Sequence, residues 1–180
     1  MNGSFFRTTL SAHKLAFFII IGVVTTAAGA VLMSPGSGVV ATVFARAAFA
    51  NPTDIKFKIQ DGNQEVIQVT NARDTVVQQI TIKSASNNLG VVGTTGWHSH
   101  PGPVVVLVTA GEMSFYDSDD PTCTVRTYTA GQAFVDSGQG HVHIARNEGT
   151  INLELWATYF DVPSGGAFRI DVPVPGNCAF

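Results

Sequence analysis

Charge is scarce in this chain. Of 180 residues, 13% are Asp, Glu, Lys or Arg, and the formal net charge is −3. No basic cluster or stripe occurs, which argues against nucleic acid as the main partner. Cysteine is limited to two residues, Cys123 and Cys178, with no C-x-x-C spacing, so a thiol redox pair is excluded. No phosphate-cradling glycine loop, nucleotide fingerprint or Ser-His-Asp order is present to indicate a hydrolase or dehydrogenase. Beyond the first fifty residues, no stretch carries helical periodicity. Among the abundant residues, glycine occurs 18 times and the apolar types make up 45%.

The one long apolar run is at the N-terminus. Leu15 to Met33 contain no charge and follow Arg7, His13 and Lys14. As a helix this run spans about 30 Å of hydrocarbon, and the positive residues before it predict a cytoplasmic N-terminus. A weaker apolar stretch, Gly38 to Ala50, ends in Ala48-Phe49-Ala50, which reads as a peptidase site before Asn51. Residues 1–50 are therefore expected to be a signal peptide, or an uncleaved membrane anchor with a tether. Either places the rest outside the cytoplasm, whether periplasmic, secreted or membrane-anchored. Arg7, Lys14 and Arg46 are the only charges in that segment, so residues 51–180 alone carry −6 against −3 for the whole. An even cysteine count in an exported chain predicts a Cys123–Cys178 disulfide.

From residue 51 onward the pattern is all-β. Alternating runs occupy 54–60, 64–70 and 75–83, with Asp61-Gly62-Asn63 as a hairpin turn. Further strands are expected at 104–109, 113–116, 123–128, 133–135, 141–146 and 151–160, separated by glycine turns. Short strands with a turn every eight to twelve residues indicate a sandwich or barrel over 51–165. Residues 166–180, rich in proline and glycine, are expected to form an extended tail.

Four of the five histidines fall into two H-x-H pairs, His98/His100 and His141/His143. Residues two apart on a strand face the same side, so each pair aims two imidazoles in one direction. Two such strands in one barrel can bring three or four ring nitrogens to a point, a donor set suited to a first-row transition ion. His98, His100 and His143 are the expected ligands, with His141 as a possible fourth. Glu154, between Leu153 and Leu155, is a weak candidate for a general base in the pocket. Asp136 and Asp117 to Asp120 read as turn or solvated residues.

These segments resemble the cupin family. Its first motif sets a glycine, an H-x-H pair, a glutamate and a second glycine in order. Here Gly93 comes one residue nearer the pair than usual, His98 and His100 fit, Val104 stands at the glutamate position, and Gly111 fits. In the second motif Gly131, His143 and Asn147 fit, Ser137 replaces a proline, and Gly140 comes one residue late. The resemblance covers Gly93 to Asn147. It implies a double-stranded β-helix (cupin, jelly-roll) barrel and His98, His100 and His143 as ligands of a divalent transition metal (Fe, Mn, Ni, Cu or Zn), without the acidic ligand. It further implies a small organic ligand in the barrel and, in some members with three histidines, dioxygenase-like oxidoreductase chemistry. A non-catalytic metal or ligand carrier at the cell surface is the alternative. Family members often form homodimers through sheet edges.

Overall fold

The computed structural model describes residues 34–60 and 64–180. The helix expected over Leu15–Met33 lies outside the described residues. Among them no helix is long and apolar enough to cross a membrane.

In chain order the strands are β1 (Val39–Ala48), β2 (Ile55–Gln60), β3 (Gln64–Val69), β4 (Asp74–Ile82), β5 (Gly93–Thr94), β6 (His98–Ser99), β7 (Val104–Ala110), β8 (Glu112–Asp117), β9 (Arg126–Thr129), β10 (Ala133–Asp136), β11 (His143–Asn147), β12 (Leu153–Val162) and β13 (Ile170–Asp171). A single 3-10 turn spans Ala85–Asn87. One sheet runs β1-β4-β12-β7-β10, and a second runs β13-β6-β11-β8-β9 with β5 also on β11. The β2–β3 hairpin stands apart from both. All pairings are antiparallel, and the described residues are all-β as the sequence pattern implies.

The two sheets face each other because alternation gives each one apolar side. On β12, Leu153, Leu155, Ala157 and Tyr159 point inward, while Glu154, Trp156 and Thr158 between them remain partly exposed. Ile82, Val108, Leu153 and Leu155 of the first sheet meet Met113, Phe115 and Ala145 of the second. Burying each such side chain contributes about 1.5–3 kcal/mol relative to exposure. Val76, Val104, Ala157, Tyr159 and Val162 form a neighbouring cluster. Trp97 is buried among Tyr116, Ile144 and Cys178. Asn147 is fully buried; it donates to Ile82 O (2.7 Å) and Ile151 O (2.9 Å) and accepts from Gly149 N (3.1 Å), which clamps the β11–β12 turn to β4.

Two expected boundaries move. Residues 39–48, read as part of a leader or tether, are the edge strand β1, in register with β4 from Val39↔Ile82 to Ala48↔Asp74. Its Val, Thr and Phe side chains suit a pleated surface, and Phe44 packs on Trp156 with ring centroids 4.9 Å apart. Arg46 pairs with Asp74 (2.7 Å) and donates to the carbonyls of Gly166 and Pro163. The folded unit therefore begins before Asn51. At the other end, residues 166–180 are largely extended but do not trail free. Ile170 and Asp171 pair with Ser99 and His98, and a Cys123–Cys178 disulfide ties the end to the loop after β8.

Candidate metal centre

β11 lies between β6 and β8, and His143 sits directly opposite His98. His100, two residues on from His98, projects to the same side. The three imidazoles converge between the sheets, where each is about 95% buried. Their ring centroids are 4.4–5.2 Å apart, and one ring nitrogen from each lies within 4.8 Å of the other two. Phe115 stacks on the His143 ring at 4.8 Å, and Tyr159 lies 5.1 Å from His100.

Backbone carbonyls fix two of the rings. His98 Nδ1 is 2.8 Å from Gly96 O, and His100 Nδ1 is 2.7 Å from Phe168 O. A carbonyl only accepts, so Nδ1 carries the proton and Nε2 keeps its lone pair. Burial pushes all three imidazoles below their ordinary value, and neighbouring imidazoles lower His98 and His143 further. Neutral rings with Nε2 unprotonated are the form a metal ion needs. The donor set thus fits a divalent ion, which His98, His100 and His143 would hold. Val104 is buried and lines the same cavity with a side chain that cannot coordinate.

His141 does not join this group. Gly138 and Gly140 both have positive φ, and His141 N donates to Gly138 O. The chain turns there and β11 begins only at His143, so the two-residue parity fails. His141 Nδ1 is 2.9 Å from Asp136 Oδ1, and its Nε2 is 3.2 Å from Asp117 Oδ1. Asp117 and then Asp136 push its pKa up to about 10. Glu154 is also displaced from its expected role. It sits on the outer side of β12, between the inward Leu153 and Leu155, and does not line the cavity at the three histidines.

The cavity against the three histidines is small, about 40 Å³, and is walled by Ile80, Val104, Val106, Met113, Leu155 and Ala157. It holds about one water-sized group beside an ion. His98 and His100 also face a wider mouth of about 360 Å³, edged by Pro35, Val39, Gln78, Phe168, Arg169 and Asp171. Arg169 Nη2 donates to Thr95 O, and its Nε donates to Asp171 Oδ1. A third cavity, of about 640 Å³, lies beyond His141, between Lys58, Glu65, Asp117 and Arg126, and none of the three clustered histidines lines it. Volume does not mark this centre; the donor atoms do. Sequence reading missed the carbonyls of Gly96 and Phe168, the Tyr159 ring and Asp136. Of these only Asp136, an acid inside the second motif, left a trace in the sequence.

No family model matches the chain, and no curated protein matches it. Several solved structures align with part of it. A double-stranded β-helix protein from Klebsiella pneumoniae aligns with 71% of this chain and 90% of its own, at 15% identity and a TM-score of 0.43. The polyketide cyclase RemF from Streptomyces resistomycificus aligns at 15% identity and a TM-score of 0.38, over 47% of this chain and 52% of its own. An oxalate oxidase aligns at 22% identity and a TM-score of 0.38, over 48% of this chain and 41% of its own. The chain thus spans about half the length of the cyclase and less of the oxidase.

Proposed function

We propose that this chain is an exported cupin-type metal protein. His98, His100 and His143 hold a divalent transition ion (Fe, Mn, Ni, Cu or Zn), and a small organic ligand enters by the mouth beside His98 and His100. The single observation that carries this reading is the convergence of three buried, neutral imidazoles, two of them locked by carbonyls with Nε2 free. Three nitrogen donors leave at least one coordination position open. When bound, a redox-active member of this set (Fe, Mn, Ni or Cu) would supply activation of an enolate, phenolate or thiol substrate toward O2, which is dioxygenase-like chemistry, whereas zinc has no redox change to offer. The protein's part is to orient the ion through the carbonyl-anchored rings and to exclude bulk water with the Val104, Val106 and Leu155 walls. Export is supported by the apolar run at Leu15–Met33, as signal or anchor, and by the Cys123–Cys178 disulfide, which suits an oxidising compartment.

A second reading, a non-catalytic metal or ligand carrier, is favoured by one observation. The cavity beside the histidines contains no free base. Asp136 is engaged by His141 and Gly138 N, and the Tyr159 hydroxyl donates to Gln78 while burial pushes its pKa up. The test is metal analysis with edge spectroscopy on protein from the native source, with oxygen uptake on diketones and catechols. One ion per chain in a three-nitrogen shell is expected, and His98→Ala, His100→Ala or His143→Ala should each abolish retention. Absence of metal, or retention unchanged in all three variants, overturns the reading. Bound metal with no oxygen uptake selects the carrier.

A further inference from the structure

His98 and His100 are each anchored at Nδ1, but His143 is anchored by neither backbone nor hydrogen bond. Its Nδ1 is buried and has no hydrogen-bond partner. Asp136 Oδ1 lies 3.5 Å from it. The Asp136 side chain is 2% exposed, and its other contacts hold it in place: Oδ2 accepts from Gly138 N at 3.2 Å, and Oδ1 accepts from His141 Nδ1 at 2.9 Å.

The register gives this carboxylate its meaning. β10 pairs with β7 so that Asp136 lies directly opposite Val104. Directly opposed residues on antiparallel strands project to the same face, and both line the cavity at the three histidines. Val104 occupies the position where the first motif sets an acid. The site therefore has a carboxylate after all, displaced by one strand. It is too far out to ligate with the full set: Asp136 shares a ligand-sized cluster with His141 and His143 but not with His98 and His100.

We propose that Asp136 is the positioning carboxylate of this centre: it accepts a hydrogen bond from His143 Nδ1–H, turns Nε2 toward the ion, and supplies from the neighbouring strand the carboxylate that Val104 lacks. His141 holds Asp136 from behind, with Asp117 on its far side. A carboxylate on the outer nitrogen of a ligating imidazole fixes its tautomer and raises its donor strength. This inference rests on the three-histidine centre, and the test separates the two.

Full-length protein is titrated with Co(II), and affinity, stoichiometry and ligand-field absorption are read. Wild type is expected to bind one ion. Asp136→Asn should still bind one ion, with affinity lowered by about 10–100-fold and a shifted absorption band, because an amide oxygen accepts the Nδ1–H bond more weakly than a carboxylate. Binding within twofold of wild type overturns the positioning role while leaving the centre standing. A stoichiometry of two that falls to one in Asp136→Asn also overturns it, since Asp136 would then ligate a second ion. If wild type binds no Co(II), the centre and the inference fall together. A measurement on unmutated protein guards against a misfolded variant. In metal-free protein, 15N spectra should show the His143 proton on Nδ1, and a proton on Nε2 overturns the inference.

Discussion

Asn147 offers the sharpest test of how the fold is held. Its amide is fully buried and makes three hydrogen bonds, donating to Ile82 O on β4 and Ile151 O, and accepting from Gly149 N. Asn147→Ala removes all three and leaves the two carbonyls without this donor. Gly149 is partly exposed and can recruit water in compensation, so the cost falls mainly on the carbonyls. A loss of about 2–4 kcal/mol follows. For a unit of 150 residues that is a fall in Tm of about 5–15 °C. Asn147→Asp is more discriminating. It keeps the shape and the acceptor for Gly149 N, but it sets carboxylate oxygens against two carbonyl oxygens. It should destabilise at least as much as alanine at pH 7. Burial and lost donation raise the folded-state pKa of that acid above its unfolded value. The deficit is therefore full above the folded pKa and shrinks as pH falls through it, where the protonated acid can donate again. Thermal melts of both variants between pH 7 and pH 4 decide the matter. If Asn147→Asp matches wild type to within about 0.5 kcal/mol at pH 7, the clamp does not hold the turn and the argument fails.

Three further outcomes follow from the structure. Reducing the Cys123–Cys178 disulfide, which closes a loop across a sequence separation of 55, should destabilise by about 4 kcal/mol in the chain-entropy account, read as a lower Tm in dithiothreitol that Cys178→Ser reproduces. A chain beginning at Asn51 lacks β1, so its β4 edge is bare and its mouth loses Pro35 and Val39; compared with a chain beginning at Ser34 it should melt several degrees lower and associate more readily, by calorimetry and light scattering. Asp161 is held below the usual carboxylate range by its bonds to Arg73, so its folded pKa lies below its unfolded one; its contribution is present above about pH 4 and is lost as pH falls through the folded value, and Asp161→Asn should remove up to about 1 kcal/mol at pH 7 and progressively less in acid.

The sequence made the strands readable where alternation was local. The segments at 54–60, 64–70, 75–83 and 151–160 emerge as β2, β3, β4 and β12 within a residue or two, because one face of each meets a core or a partner strand. β9 begins at Arg126 rather than Cys123 because Asp120 accepts from Thr122 N and Thr124 N, which holds those residues in a turn. β1 was hidden: an alanine-rich apolar edge strand looks like a leader until its partner β4 is known. At the site, the two-residue parity placed His98 and His100 together, and the second motif supplied His143. Parity misled at His141, where positive-φ glycines bend the chain just ahead of β11. It also gave no hint of Asp136, because facing Val104 is a matter of cross-strand register, and register between β7 and β10 is written in neither segment alone.

Residues 170–178 are held at two points, by the β13–β6 pairing and by the Cys123–Cys178 disulfide. Phe168, whose carbonyl steadies the His100 ring, lies just ahead of β13, in the connection from β12. β12 belongs to one sheet and β13 to the other. The carbonyl that orients His100 therefore sits on a bridge between the two sheets, and it swings away only if one of the flanking strands lets go.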